Sequence, residues 1–308
     1  MLYEYAVEPA AISSDWKTCL YLAEKFGFDR GRLLSLFPKK WLPLAFEGAR
    51  HLSDIEKARV VEKLTKLKRV SSIRSGRNYD PAIGDWLQNA LAQQQGDDPF
   101  HAIIATTNPT SSTSVVLVGE VDEANPLIAV PHDAAIAREA LELVAAMRLL
   151  LRSADTVLFV DAYYDPFNAR YQDTLRACLK VVHEGNPSAA CEIHHLDYGK
   201  CPPVEVIERE AKQKFAKVIP DGMAVSIFRW RERQNGEDFH ARFVLTDKGG
   251  IGIDAGLSAE GNHQTTIMHL MSCGLVGQRV QALARAATVY ELVEPILRID
   301  AHGKVDRL

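Results

Sequence analysis

Residues 239–258 read FHARFVLTDKGGIGIDAGLS. Phe239, Ala241, Phe243 and Leu245 alternate with His240, Arg242 and Val244. That period of two predicts a strand. Asp247-Lys248-Gly249-Gly250 is a turn signal, because glycine tolerates the positive φ of a tight turn. A second strand should follow. Residues two apart on a strand share a face, so His240 and Arg242 are expected to point the same way. A nucleophile or base then stands beside a permanent cation. Asp247 falls at the far end of the strand, and Ser258 comes off the return strand.

Upstream of this hairpin the pattern alternates between strand and helix. A long amphipathic helix is predicted over 132–153, with Ile136, Ala140, Leu143, Val144, Met147 and Leu151 as its apolar stripe. A buried-type strand over 156–160 runs into DAYYDP. A helix (172–183), a strand (189–196), a helix (204–217) and a strand (223–230) follow. The order β-α-β-α-β predicts an α/β domain with a largely parallel sheet between helical layers. A strand over 265–271 and a last helix over 277–297 complete it.

Residues 239–258 resemble the signature of the phospholipase D superfamily: His-x-Lys, four residues, Asp, then a Gly/Ser element. His240 and Asp247 match at the family spacing, and Arg242 stands where the family has Lys. Gly256 and Ser258 match the Gly/Ser element, slightly displaced. The resemblance covers roughly residues 131–308. It implies a mixed sheet flanked by helices and a two-step phosphodiester reaction that needs no metal or other cofactor. His240 would attack phosphorus, and a second histidine would protonate the leaving oxygen and then activate water. Arg242 would hold the non-bridging oxygens. Asp247 would orient a histidine or support the cation, and Ser258 would donate to a phosphate oxygen. The chain carries one copy of a motif that the family uses in facing pairs, so the resemblance implies a homodimer. The expected activity is a nuclease acting on DNA ahead of RNA, by analogy in defence against foreign DNA. The alternative is a catalytically inactive module that binds nucleic acid or the other subunits of a larger complex.

Residues 1–130 are expected to form a mainly helical domain with a small strand element, and 131–308 the phospholipase D-like domain. Helices are predicted over 16–26, 30–37, 41–50 and 53–68, the last opened by the capping box Ser53-x-x-Glu56. Four helices in succession suit a helix-turn-helix-like DNA reader or a small docking bundle. A further helix is expected over 81–95, and strands over 101–106, 114–121 and 127–130. Lys63, Lys66, Lys68, Arg69, Arg74 and Arg77 face no acid within their run. Lys68, Arg69 and Arg74 are therefore candidate phosphate-tracking residues, the alternative being a solvated helix end.

Ligands of open parallel sheets sit at strand carboxyl ends. Asp161, Tyr163, Tyr164 and Asp165 occupy such an end, and turn chemistry at Asp165-Pro166 is the competing account. Trp230, Arg231 and Arg233 precede the motif and suit cation or stacking contacts to a nucleotide, or a solvated connector. Cys191, His194, His195 and Cys201 are candidate zinc ligands, but strand alternation sends the two histidines to opposite faces.

Composition bounds these readings. The 308 residues carry a formal net charge of −4, so any nucleic-acid site is a local patch. Apolar content of 47% and charged content of 25% are those of a globular domain. Five scattered cysteines suit a reducing compartment. The opening MLYEYAVEP lacks the apolar core of a secretory leader, and no apolar run is long enough to span a membrane, so a cytoplasmic location is expected.

Overall fold

A computed structural model describes residues 1–199, 201–215 and 217–308. The chain is mixed α/β and divides into two compact units, Met1–His132 and Asp133–Leu308.

In the first unit the expected small strand element is a five-stranded sheet, and helices still hold more residues than strands. The unit contains strands β1 (Tyr3–Val7), β2 (Arg32–Ser35), β3 (Ser72–Ile73), β4 (Ala102–Ala105) and β5 (Val115–Leu117). These form a parallel sheet in the order β3-β2-β1-β4-β5. Helices α1 (Pro9–Ile12) and α2 (Trp16–Lys25) join β1 to β2, α3 (Trp41–Gly48) and α4 (Asp54–Val70) join β2 to β3, and α5 (Trp86–Gln93) precedes β4. The expected helix over 30–37 is instead β2. Its residues Leu33 and Leu34 are fully buried, and a short continuous apolar run fits a strand covered on both faces as well as it fits a helix. The helices are thus interleaved with strands, which removes the contiguous four-helix reader. The expected strand over 127–130 is a turn. Its carbonyls are consumed by side chains: Tyr5 Oη donates to Leu127 O at 2.7 Å and Arg32 Nη1 to Ile128 O at 2.7 Å.

The capping box on α4 forms, with Ser53 and Glu56 bonded reciprocally. Arg77 does not belong to a surface patch. Its guanidinium reaches Glu4 at 2.8 Å, with both side chains nearly buried, and lies 4.1 Å from the centroid of Phe100. Ser35 Oγ donates to the same carboxylate at 2.6 Å.

The second unit holds one sheet in the order β14-β13-β9-β8-β7-β10-β11-β12-β6. Its strands are β6 (Asp133–Arg138), β7 (Thr156–Val160), β8 (Ala190–Leu196), β9 (Ala224–Glu232), β10 (Phe243–Thr246), β11 (Gly250–Ile253), β12 (Gly261–Leu270), β13 (Tyr290–Asp300) and β14 (Val305–Arg307). Helix α6 (Ala140–Arg152) leads into β7, while α7 (Ala169–Gly185) and α8 (Val204–Phe215) are the crossovers between β7, β8 and β9, which run parallel. The expected helix over 204–217 includes position 216, which lies outside the described residues. β10 runs antiparallel to β7, and β11 and β12 continue the antiparallel half.

Two expected helices are shortened by strands. Residues 133–138 pair antiparallel with β12, so the helix begins only at Ala140. The alanines of this segment favour helix locally, and the unpaired edge of β12 overrides them. The last helix, α9, spans Cys273–Ala282, and the segment expected to extend it becomes β13, antiparallel to β9. The ladder changes register between Val293 and Leu297, around Pro295, which has no N–H to donate.

Arg77→Ala is expected to destabilise the first unit by about 3 kcal/mol, because it removes the cation from the nearly buried Glu4 carboxylate. A urea titration measures this, and adding Glu4→Gln to Arg77→Ala should restore part of the loss.

Candidate functional site

The motif segment is seated by its apolar half. Phe239 and Phe243 are buried among Leu283, Val276 and Tyr290, and Ala241 lines the same small cleft. His240 and Arg242 are not among the lining of that cleft, and both approach Tyr163 instead. The regular strand starts only at Phe243, later than expected, although Ile253 N still donates to Arg242 O at 2.9 Å. His240 is exposed. Its Nδ1 lies 3.4 Å from Tyr163 Oη, and the Arg242 guanidinium stands 5.5 Å from the centroid of the same ring. One tyrosine therefore gathers the two motif side chains.

Arg242 is also held from beneath. Its Nη1 donates to Asp254 O at 2.6 Å, and its Nε lies 3.7 Å from Asp161 Oδ1. Asp161 directly follows β7 and is 1% exposed. It accepts from Leu257 N at 2.9 Å and Tyr163 N at 3.0 Å. Burial raises the pKa of this carboxyl, against the pull of those two amides, Arg242 and Arg138. Gly256 is required here: with φ of +79°, an added Cβ would stand 2.2 Å from Asp161 Oδ2 and 2.7 Å from Arg242 Cδ.

Ser258 is near but occupied. Arg138 Nη2 donates to its hydroxyl at 2.5 Å, and the hydroxyl donates to Glu260 at 3.2 Å. Glu260 also pairs with Arg170. Arg138 and Glu260 are site residues that the sequence reading missed, because 132–153 reads as helix and gives no hint that Arg138 reaches the motif.

Asp247 does not join this group. It lies beyond the opposite end of β10, where it accepts from Asp155 N at 2.8 Å and Thr156 N at 3.2 Å and pairs with Lys248 at 2.8 Å. Burial works to raise its pKa, but Lys248 and the two amides outweigh it and hold the group below the ordinary value. It is a turn anchor, since a four-residue strand separates it from Arg242. Tyr164 is likewise corrected: it is buried, with its hydroxyl unpartnered, and Tyr163, 39% exposed, takes the cleft position.

Behind the motif, the register continues a polar row on one face of the sheet. Asp161 follows Val160, which pairs with His194, so Asp161 neighbours His195, and His195 pairs with Arg229. His195 is fully buried. Its Nδ1 lies 3.0 Å from Leu196 O, so Nδ1 carries the proton and Nε2 is a bare acceptor. His194 points to the opposite face, stacked 4.6 Å from Phe228, and accepts from Trp230 Nε1 at 3.0 Å. Trp230 is therefore core and offers no surface for a nucleotide. Arg231 is half exposed but already pairs with Asp197 at 2.9 Å and Glu291 at 3.5 Å. Among the described residues, no group of three or more His, Cys, Asp or Glu is placed to hold a metal ion.

In the first unit, Lys68 and Arg69 are exposed in the last turn of α4, and Arg74 is exposed just past β3. At that position Lys68 and Arg69 also suit the helix dipole. No helix among the described residues is long and apolar enough to cross a membrane.

No family model and no curated protein matches the chain. Among solved structures, that of TrmBL2, an archaeal chromatin protein described as showing a novel mode of DNA binding, matches at 12% identity with a TM-score of 0.25. The match covers 49% of this chain and 50% of that chain, and at that TM-score it carries no argument.

Burial pushes the His195 imidazole down to about 4 from an ordinary value of 6.5. Between those limits the unfolded chain binds the proton and the native chain does not, so stability falls on acidification. The second unit is expected to lose on the order of 3 kcal/mol from this residue across that window. His195→Gln should flatten the dependence of melting temperature on pH there, relative to the wild type.

Proposed function

We propose that the second unit is a phospholipase D-like phosphodiesterase that cleaves nucleic acid without a metal. The observation that carries this reading is the meeting of the His240 imidazole and the Arg242 guanidinium at Tyr163, on the strand-end side of the sheet. His240 Nε2 attacks phosphorus, an N–P bond forms, and the P–O bond to the leaving group breaks. A second histidine, from a twin subunit, donates the proton to the leaving oxygen. It then takes a proton from the water that releases the phosphoryl group. Arg242 supplies the charge that the non-bridging oxygens need. Asp161 fixes Arg242 from the buried side and is a positioning residue. DNA is the favoured polymer, and defence against foreign DNA is the analogous setting.

Two observations favour a second reading, a catalytically inactive module that binds nucleic acid or a partner. Asp161 offsets part of the charge of Arg242, and the Ser258 hydroxyl is already engaged by Arg138 and Glu260.

A nuclease assay in EDTA separates the two. Cleavage should survive chelation, and His240→Ala should reduce it by at least about a hundredfold, the lower range for a lost catalytic group. Salt-dependent binding without cleavage by either protein selects the module. A second measurement concerns the first unit. If Lys68, Arg69 and Arg74 track phosphates, their joint replacement by alanine weakens binding similarly on all sequences. It also lowers the slope of log affinity against log salt by about 0.7–0.9 per lost contact. An unchanged slope assigns those cations to solvent.

A further inference from the structure

Tyr163 is a large ring left 39% exposed beside the motif histidine, where a polar side chain would serve as an ordinary rim residue. The ring is held on several sides. The Arg242 guanidinium lies 5.5 Å from its centroid, and Tyr198 meets it edge-on at 5.7 Å and 84°. Tyr198 Oη donates to Tyr163 O at 3.4 Å, fixing the backbone that carries the ring. The His240 ring centroid is 6.4 Å away. An exposed aromatic ring with an arginine against it is the chemistry that receives a flat, electron-rich ring.

We propose that Tyr163, braced by Tyr198 and Arg242, is the platform on which a nucleobase adjoining the attacked phosphate stacks, so that the site takes single-stranded nucleic acid. Duplex bases keep their faces within the stack and cannot reach such a platform, whereas unpaired bases present theirs. The inference rests on the reading of His240 and Arg242 as a phosphodiester site, and it specifies the substrate of that site. It assigns the ring of Tyr163 to binding, and its hydroxyl to contact with His240.

The test uses the full chain carrying His240→Asn, to prevent turnover, at fixed salt in EDTA. The probes are a fluorescent oligothymidine, an abasic strand of equal length and charge, and a duplex. The oligothymidine should bind about tenfold tighter than the abasic strand, the lower range for one stacked base. It should also bind tighter than the duplex. Tyr163→Leu should erase the preference for bases, Tyr163→Phe should keep it, and Tyr198→Leu should weaken it, all with unchanged melting temperatures. Equal affinity for thymidine and abasic strands, no binding of either, or a preference that survives Tyr163→Leu overturns the platform. Cleavage by wild-type protein is scored separately. Base-selective binding without cleavage sinks the enzyme and leaves the platform, while cleavage without base selectivity does the reverse.

Discussion

The second unit is organised at its strand ends by one buried carboxylate. Asp161 sits where β7 ends, accepts amides from Leu257 and Tyr163, and faces Arg242. Isolated, such a carboxylate costs several kcal/mol to bury, so its partners are obligatory. Those partners lie on three separate stretches of chain: the turn after β7, the entry to β10 and the loop after β11. Satisfying one acid therefore sets the position of Tyr163, the reach of Arg242 and the course of the backbone at Gly256. The absent Cβ of Gly256 is what lets the loop approach so closely.

The same constraint bears on chemistry. A guanidinium held by the Asp254 carbonyl, with the Asp161 carboxylate close by, is preorganised, and in the proposed reaction it would not need to reorient. It is also partly neutralised. Whether positioning outweighs lost charge separates an enzyme from a binding module that shares its geometry. Arg138 and Glu260 form a parallel arrangement around Ser258, so the site is a set of linked charges with His240 left at its exposed edge.

The first unit uses a buried ion pair differently. Arg77 and Glu4 join the segment after β3 to β1, with Phe100 against the guanidinium. Here the pair is nearly buried at its centre, while the guanidinium also reaches the exposed Asp98 at 3.8 Å. A cation that reads as part of a phosphate-tracking run is thereby consumed inside the fold, and burial distinguishes it from Lys68, Arg69 and Arg74.

The parallel half of the second sheet was legible from local pattern. β7, β8 and β9 are continuous apolar or alternating runs separated by amphipathic helices, and each such signal lies within one segment. The alternation of Phe239, Ala241 and Phe243 likewise pointed His240 and Arg242 to one side, and both meet Tyr163 although the regular strand begins only at Phe243. Tertiary structure decided what depends on pairing between distant segments. β6 and β13 are strands because an edge awaited them, and β2 is a strand because both its faces are covered. Tyr163 rather than Tyr164 reaches the motif because the turn after β7 buries the Tyr164 ring and leaves that of Tyr163 partly exposed. Local sequence encodes periodicity, while partner choice, burial and the ends of strands are set by contacts between residues scores of positions apart.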